Sequence, residues 1–76
     1  MTTKDKKAIN DAKEILQLRF EGLYGFAPTK KQIVPLEVSF ETDKMLNLYY
    51  VSSLLFRIRD KEYLYRIGQP ILAMED

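Results

Sequence analysis

Residues Met45 to Gly68, MLNLYYVSSLLFRIRDKEYLYRIG, decide the fold, because apolar residues recur along them with the period of two that belongs to a β-strand. Leu46, Leu48, Tyr50, Leu54, Phe56 and Ile58 form one apolar set, broken at Ser52. As one strand this run would span ~40 Å at about 3.3 Å per residue, so a bend or bulge is expected near Ser52-Ser53. A hairpin turn is expected at Asp60-Lys61. Pairing Arg59 with Glu62 then sets Ile58 against Tyr63, Phe56 against Tyr65 and Leu54 against Ile67, all on a core face.

The other face of this ribbon is mixed. It would carry Tyr49, Val51, Leu55 and Leu64 together with Arg57, Arg59 and Arg66, with Arg57 opposite Leu64 and Arg66 opposite Leu55. A face that only met water would not need those apolar residues. Tyr and Arg are enriched at interface hot spots, and an apolar patch rimmed by charge marks contact surfaces. These seven residues are therefore the candidate partner-binding site.

Upstream, Ile33 to Glu41 alternates strictly, with Val34, Leu36, Val38 and Phe40 on one side and Glu37, Ser39 and Glu41 on the other. Pro35 lacks an N–H, which places this strand at a sheet edge. A three-residue turn at Thr42-Asp43-Lys44 would set Phe40 against Leu46, Val38 against Leu48 and Leu36 against Tyr50. Before the strand, Gly25 to Gln32 reads as a loop with a short turn after Pro28.

Residues Lys4 to Tyr24 carry helical periodicity instead. Ala8, Ile9, Ala12, Ile15, Leu16, Phe20, Leu23 and Tyr24 share one broad arc, with Asn10, Asp11, Glu14 and Glu21 opposite. Thr2-x-x-Asp5 is a capping signal at the start, and Gly25 followed by Pro28 ends the helix. Arg19 falls within the apolar arc, where its stem covers core while its head reaches water. Leu18 falls on the polar side as a lone exposed apolar residue.

The expected fold is α+β: one N-terminal helix packed on a three-stranded antiparallel β-meander (α-β-β-β) in a single domain, residues 1–76. Ile71 to Met74 would add a short C-terminal strand or an apolar tail. The same residues also admit a winged-helix-like arrangement with helices at PTKKQI and Asp43 to Ser53. Tyr-Tyr-Val-Ser-Ser is a poor helix centre, however, and that arrangement leaves the alternation at Ile33 to Glu41 unexplained.

Composition narrows the chemistry. The chain has neither His nor Cys, which removes the usual general base, the thiolate nucleophile and the soft metal ligands. Glu37, Glu41 and Asp43 could gather near one hairpin end, but exposed strand and turn positions rarely shift a carboxylate pKa. Ser52-Ser53 has no adjacent base, and Lys30-Lys31 follows no glycine-rich phosphate loop. No catalytic residue, cofactor or metal is expected. Lys4, Lys6 and Lys7, interleaved with Asp5, read as a solvated first turn.

Twelve Lys/Arg against eleven Asp/Glu leave a net charge of +1, so only a local cluster could attract nucleic acid. A sheet that reads single strands stacks bases on two or three exposed aromatics, whereas only Tyr49 is expected to face outward here. Hydrophobic residues at 46% and charged residues at 30% are ordinary for a soluble globular domain. MTTKDKK leads into a charged amphipathic segment rather than a secretory signal, and no apolar run reaches the ~20 residues of a membrane span. A cytoplasmic location and no membrane partner are expected.

The function expected from these residues is a small non-enzymatic binding or inhibitory module that contacts protein, or a second copy of itself, through the open sheet face. The alternatives are a nucleic-acid-binding regulator and a homodimeric structural protein. Small cysteine-free domains of this kind are common among accessory proteins of bacteria, phages and mobile elements.

Overall fold

The computed structural model describes residues 1–74. Helix α1 (Thr3–Tyr24) is followed by strands β1 (Val34–Asp43), β2 (Leu48–Ile58), β3 (Lys61–Arg66) and β4 (Leu72–Met74). The strands form one antiparallel sheet in the order β1-β2-β3-β4, and α1 covers one of its faces. The α+β arrangement is as expected, with the tail resolved as a fourth strand.

The capping box holds α1 at its start. The Thr2 hydroxyl accepts from the Asp5 N–H at 3.1 Å, and the Asp5 carboxylate accepts from the Thr2 N–H at 3.4 Å. Gly25 ends the helix at φ 83° and donates its N–H to the Glu21 carbonyl at 2.9 Å. Ala8, Ile9, Ala12, Leu16 and Phe20 are buried in one core with Val51, Leu54, Phe56, Ile58, Tyr63 and Tyr65, to which Ile33 and Ile71 also belong. Ile15, Leu23 and Tyr24, assigned to the same arc, lie at its margin and stay exposed. The Tyr24 ring nevertheless meets Phe20 at 4.4 Å and Tyr63 at 5.7 Å between centroids.

The first hairpin differs from the expected register. Strand β1 runs on to Asp43, and a four-residue turn, Lys44 to Asn47, replaces the turn at Thr42-Asp43-Lys44. Asp43 Oδ1 accepts from the N–H groups of Met45 and Leu46, and Asn47 takes φ 51°, a conformation Asn tolerates better than most residues. Phe40 therefore meets Val51 rather than Leu46, and Val38 meets Leu54 rather than Leu48.

Two register shifts complete the change, one leaving Leu36 unpaired and one leaving Ser52 unpaired. The Ser52 bulge lies where strand length demanded one. An extra residue turns every side chain beyond it to the opposite face. The core set is thus even-numbered from Leu54 to Ile58 but odd-numbered at Val51 and Tyr49, so Leu46 and Leu48 are exposed.

The second hairpin turns at Arg59-Asp60, with Arg59 at φ 60°, instead of Asp60-Lys61. Ile58 pairs Lys61, Phe56 pairs Tyr63 and Leu54 pairs Tyr65. The shift is an even number of residues, so the core face survives it. Ile67 is the exception: it has left the ladder for the next turn and is 53% exposed.

Candidate functional site

Cross-strand pairing lays out the sheet face opposite α1 as three rows. Val34, Arg57, Glu62 and Met74 form the first, and Glu37, Leu55, Leu64 and Leu72 the second. Ser39, Ser53 and Arg66 form the third. Their in-chain neighbours Leu54, Phe56, Tyr63 and Tyr65 are buried under the helix, which fixes the rows as the outer face.

Four of the seven candidate residues share this face: Leu55, Arg57, Leu64 and Arg66. Their partners differ from those expected, since Leu55 pairs Leu64, Arg57 pairs Glu62 and Arg66 pairs Ser53. Arg59 lies in the hairpin turn, exposed, and does not pair with Glu62.

Val51 and Tyr49 lie on the other side of the sheet. Val51 is 4% exposed and belongs to the core. The Tyr49 hydroxyl donates to Asp5 Oδ1 on α1 at 2.6 Å, its ring stacks on Phe40 at 5.2 Å, and Lys4 Nζ sits 4.7 Å from its centroid. The parity change at Ser52 turned both residues inward. Without Tyr49, the outer face loses the aromatic that stacking on nucleic-acid bases would have used.

Strand β4 brings two residues to the face that the ribbon alone did not supply. Leu72 is 52% exposed and extends the apolar row of Leu55 and Leu64 to the sheet edge, and Met74, 41% exposed, lies beside it in the row of Arg57 and Glu62. The signal for them was the spacing of two between Leu72 and Met74 in an apolar tail. Among the described residues the ion pairs are Lys7 with Asp11 and Lys30 with Glu14, so the arginines of the face are in none. Among those residues no cluster of three or more acidic side chains is placed to hold a metal, and no helix is long and apolar enough to cross a membrane.

The Tyr49–Asp5 bond ties the first turn of α1 to β2 and makes stability sensitive to pH. The Tyr49 hydroxyl, helped by the Thr2 cap, holds the Asp5 carboxyl below its ordinary value. The carboxylate in turn raises the Tyr49 hydroxyl above its own, and partial burial adds to the rise. A depressed Asp5 stabilises the fold at neutral pH and loses that contribution as pH falls through its folded value. A raised Tyr49 loses its contribution as pH climbs through the alkaline range. Tyr49→Phe is expected to flatten the acid limb of the stability profile and to leave the sheet intact. Urea unfolding from neutral pH to below the ordinary carboxylate range measures it, and an unchanged acid limb would show the bond absent in solution.

No family model, curated protein or solved structure matches this chain, so the site rests on the geometry of its open sheet face.

Proposed function

We propose that the protein is a non-catalytic binding module that works through protein contacts on the sheet face opposite α1, and that a second copy of the chain is the partner this face fits. The apolar row Leu55, Leu64 and Leu72, continuous over three strands and bordered by Met74 and Val34, carries the proposal. Covering such a row removes apolar surface from water, worth roughly 25 cal/mol per Å².

The order of charges supports the second copy. A twofold axis parallel to the strands, between β2 and β3, lays β2 of one chain over β3 of the other. Arg57 then faces Glu62 of the second copy, Leu55 faces Leu64, Val34 faces Met74 and Ser53 faces Arg66. Glu37 faces Leu72 at the rim, so the face is complementary to itself along its two central strands, as a twofold interface requires. Two sheets stacked this way have the ~10 Å spacing of a β-sandwich, with a helix on each outer side. A four-stranded face is at the small end of interface sizes, so weak association, in the upper micromolar range, is expected.

Sedimentation velocity from low micromolar to millimolar protein tests the proposal. Wild type should pass from monomer to dimer over that range. Leu64→Asp should stay monomeric while melting near the wild-type temperature, because Leu64 is only half-buried on the outer face. A wild type that is still monomeric at millimolar concentration would exclude the second copy, and a dimer that Leu64→Asp does not weaken would use another surface.

A further inference from the structure

A cleft of about 410 Å³ lies between α1 and the far end of β2, on the helix side of the sheet. It exists for two reasons. Ala8 and Ala12 leave the helix flank low beside Ile15, and β3 leaves the sheet at Arg66 while β2 continues to Leu48. Strand β2 pairs with β3 only over Ser53 to Ile58, and the last bond across is Ile67 N–H to the Ser52 carbonyl at 3.1 Å. From Leu48 to Val51 the β2 edge away from β1 has no backbone partner among the described residues. That edge is one wall of the cleft.

We propose that this cleft binds an extended segment of another protein, which adds a strand along Leu48–Val51 in the place β3 has vacated. Unpaired strand N–H and C=O groups recognise extended backbone above all else, and the added strand would supply them. Its alternate side chains would point toward α1 and seat against Ala8, Ala12 and Ile15. The remaining lining is apolar or tyrosine except for Asp11 and Asp43, so its charged residues are all acidic. Among the described residues Asp11 is held only by Lys7, in an exposed i,i+4 pair at 3.1 Å, and the turn bonds of Asp43 both use Oδ1. The segment recognised is therefore apolar at every second position and carries a Lys or Arg near one end. This site is independent of the open sheet face, which lies on the far side of the sheet.

An NMR titration of the full chain with blocked hexapeptides tests it. The panel alternates Thr with Val, Leu or Phe and ends in Lys or Glu. At least one Lys-bearing peptide should saturate, shifting the Leu48–Val51 amides and slowing their hydrogen exchange. N-methylation of that peptide at one alternate set of amides should weaken it at least tenfold, and methylation of the other set should not. Exchanging its Lys for Glu should weaken it several-fold. Failure of the whole panel to saturate at millimolar peptide would overturn the proposal. So would shifts centred on Leu55 and Leu64, or equal effects of the two methylation patterns.

Discussion

Phe56→Ala is expected to remove a third or more of the stability of this domain and to lower its melting temperature by tens of degrees. Phe56 is fully buried, its ring stacked 5.5 Å from that of Tyr63, which meets Phe20 of α1 edge-on at 5.0 Å. These three rings join helix to sheet. Truncating a buried Phe costs about 3–5 kcal/mol, and an aromatic pair adds about 0.5–1.5 kcal/mol beyond its area. A chain of this length has about 4–11 kcal/mol in total at ~0.05–0.15 kcal/mol per residue. Each kcal/mol moves the midpoint by roughly 4–8 °C at this size. Leu55→Ala, one residue away on the opposite face, is the control and should shift the midpoint by only a few degrees. Circular dichroism melts at low micromolar protein, below dimer formation, measure both. A drop under about 5 °C for Phe56→Ala would mean the ring is not where the fold needs it.

The contrast between Phe56 and Leu55 rests on strand parity, and parity also decides how much of this molecule could be read from its sequence. The helix was legible because its signals are local: the Thr2–Asp5 capping box, the apolar arc through Leu16 and Phe20, and Gly25 in the left-handed region. The edge position of β1 followed from Pro35, and a bulge near Ser52 followed from length. What could not be read was the phase beyond the bulge. Tyr49, Val51, Leu48 and Tyr50 are all compatible with a core, so hydrophobicity does not say which pair turns inward. Only the tertiary partners do: Asp5 and Phe40 hold Tyr49, and α1 covers Val51. At the second hairpin the sequence lacks the Asn-Gly or Asp-Gly that would mark the turn. The turn settled at Arg59-Asp60 despite the positive φ of Arg59. That shift was even, so Leu55, Arg57, Leu64 and Arg66 kept their face although every one of them changed partner.

Those changed partners give the proposed dimer its sharpest test, a paired charge reversal. Arg57 and Glu62 are neighbours across β2 and β3, and the twofold places each opposite the other's counterpart in the second copy. Arg57→Glu makes both positions acidic in every chain, and Glu62→Arg makes both basic. Each variant alone then brings like charges together twice per dimer, because symmetry repeats every contact. At about 0.2–1 kcal/mol for each favourable facing pair lost, and a similar penalty for each repulsive one gained, the two contacts together should weaken dimerisation by roughly fourfold to several hundredfold in either variant. Mixing the two in equal amounts restores opposite charges at both contacts, so a heterodimer should form with near wild-type affinity. A role confined to one chain predicts otherwise: each reversal would lower the melting temperature of its own monomer, and no mixing could repair it. Native mass spectrometry of the mixture, with one variant isotopically labelled, separates these outcomes. A heterodimer far in excess of both homodimers supports a second copy on this face. An absence of rescue with both variants folded removes it.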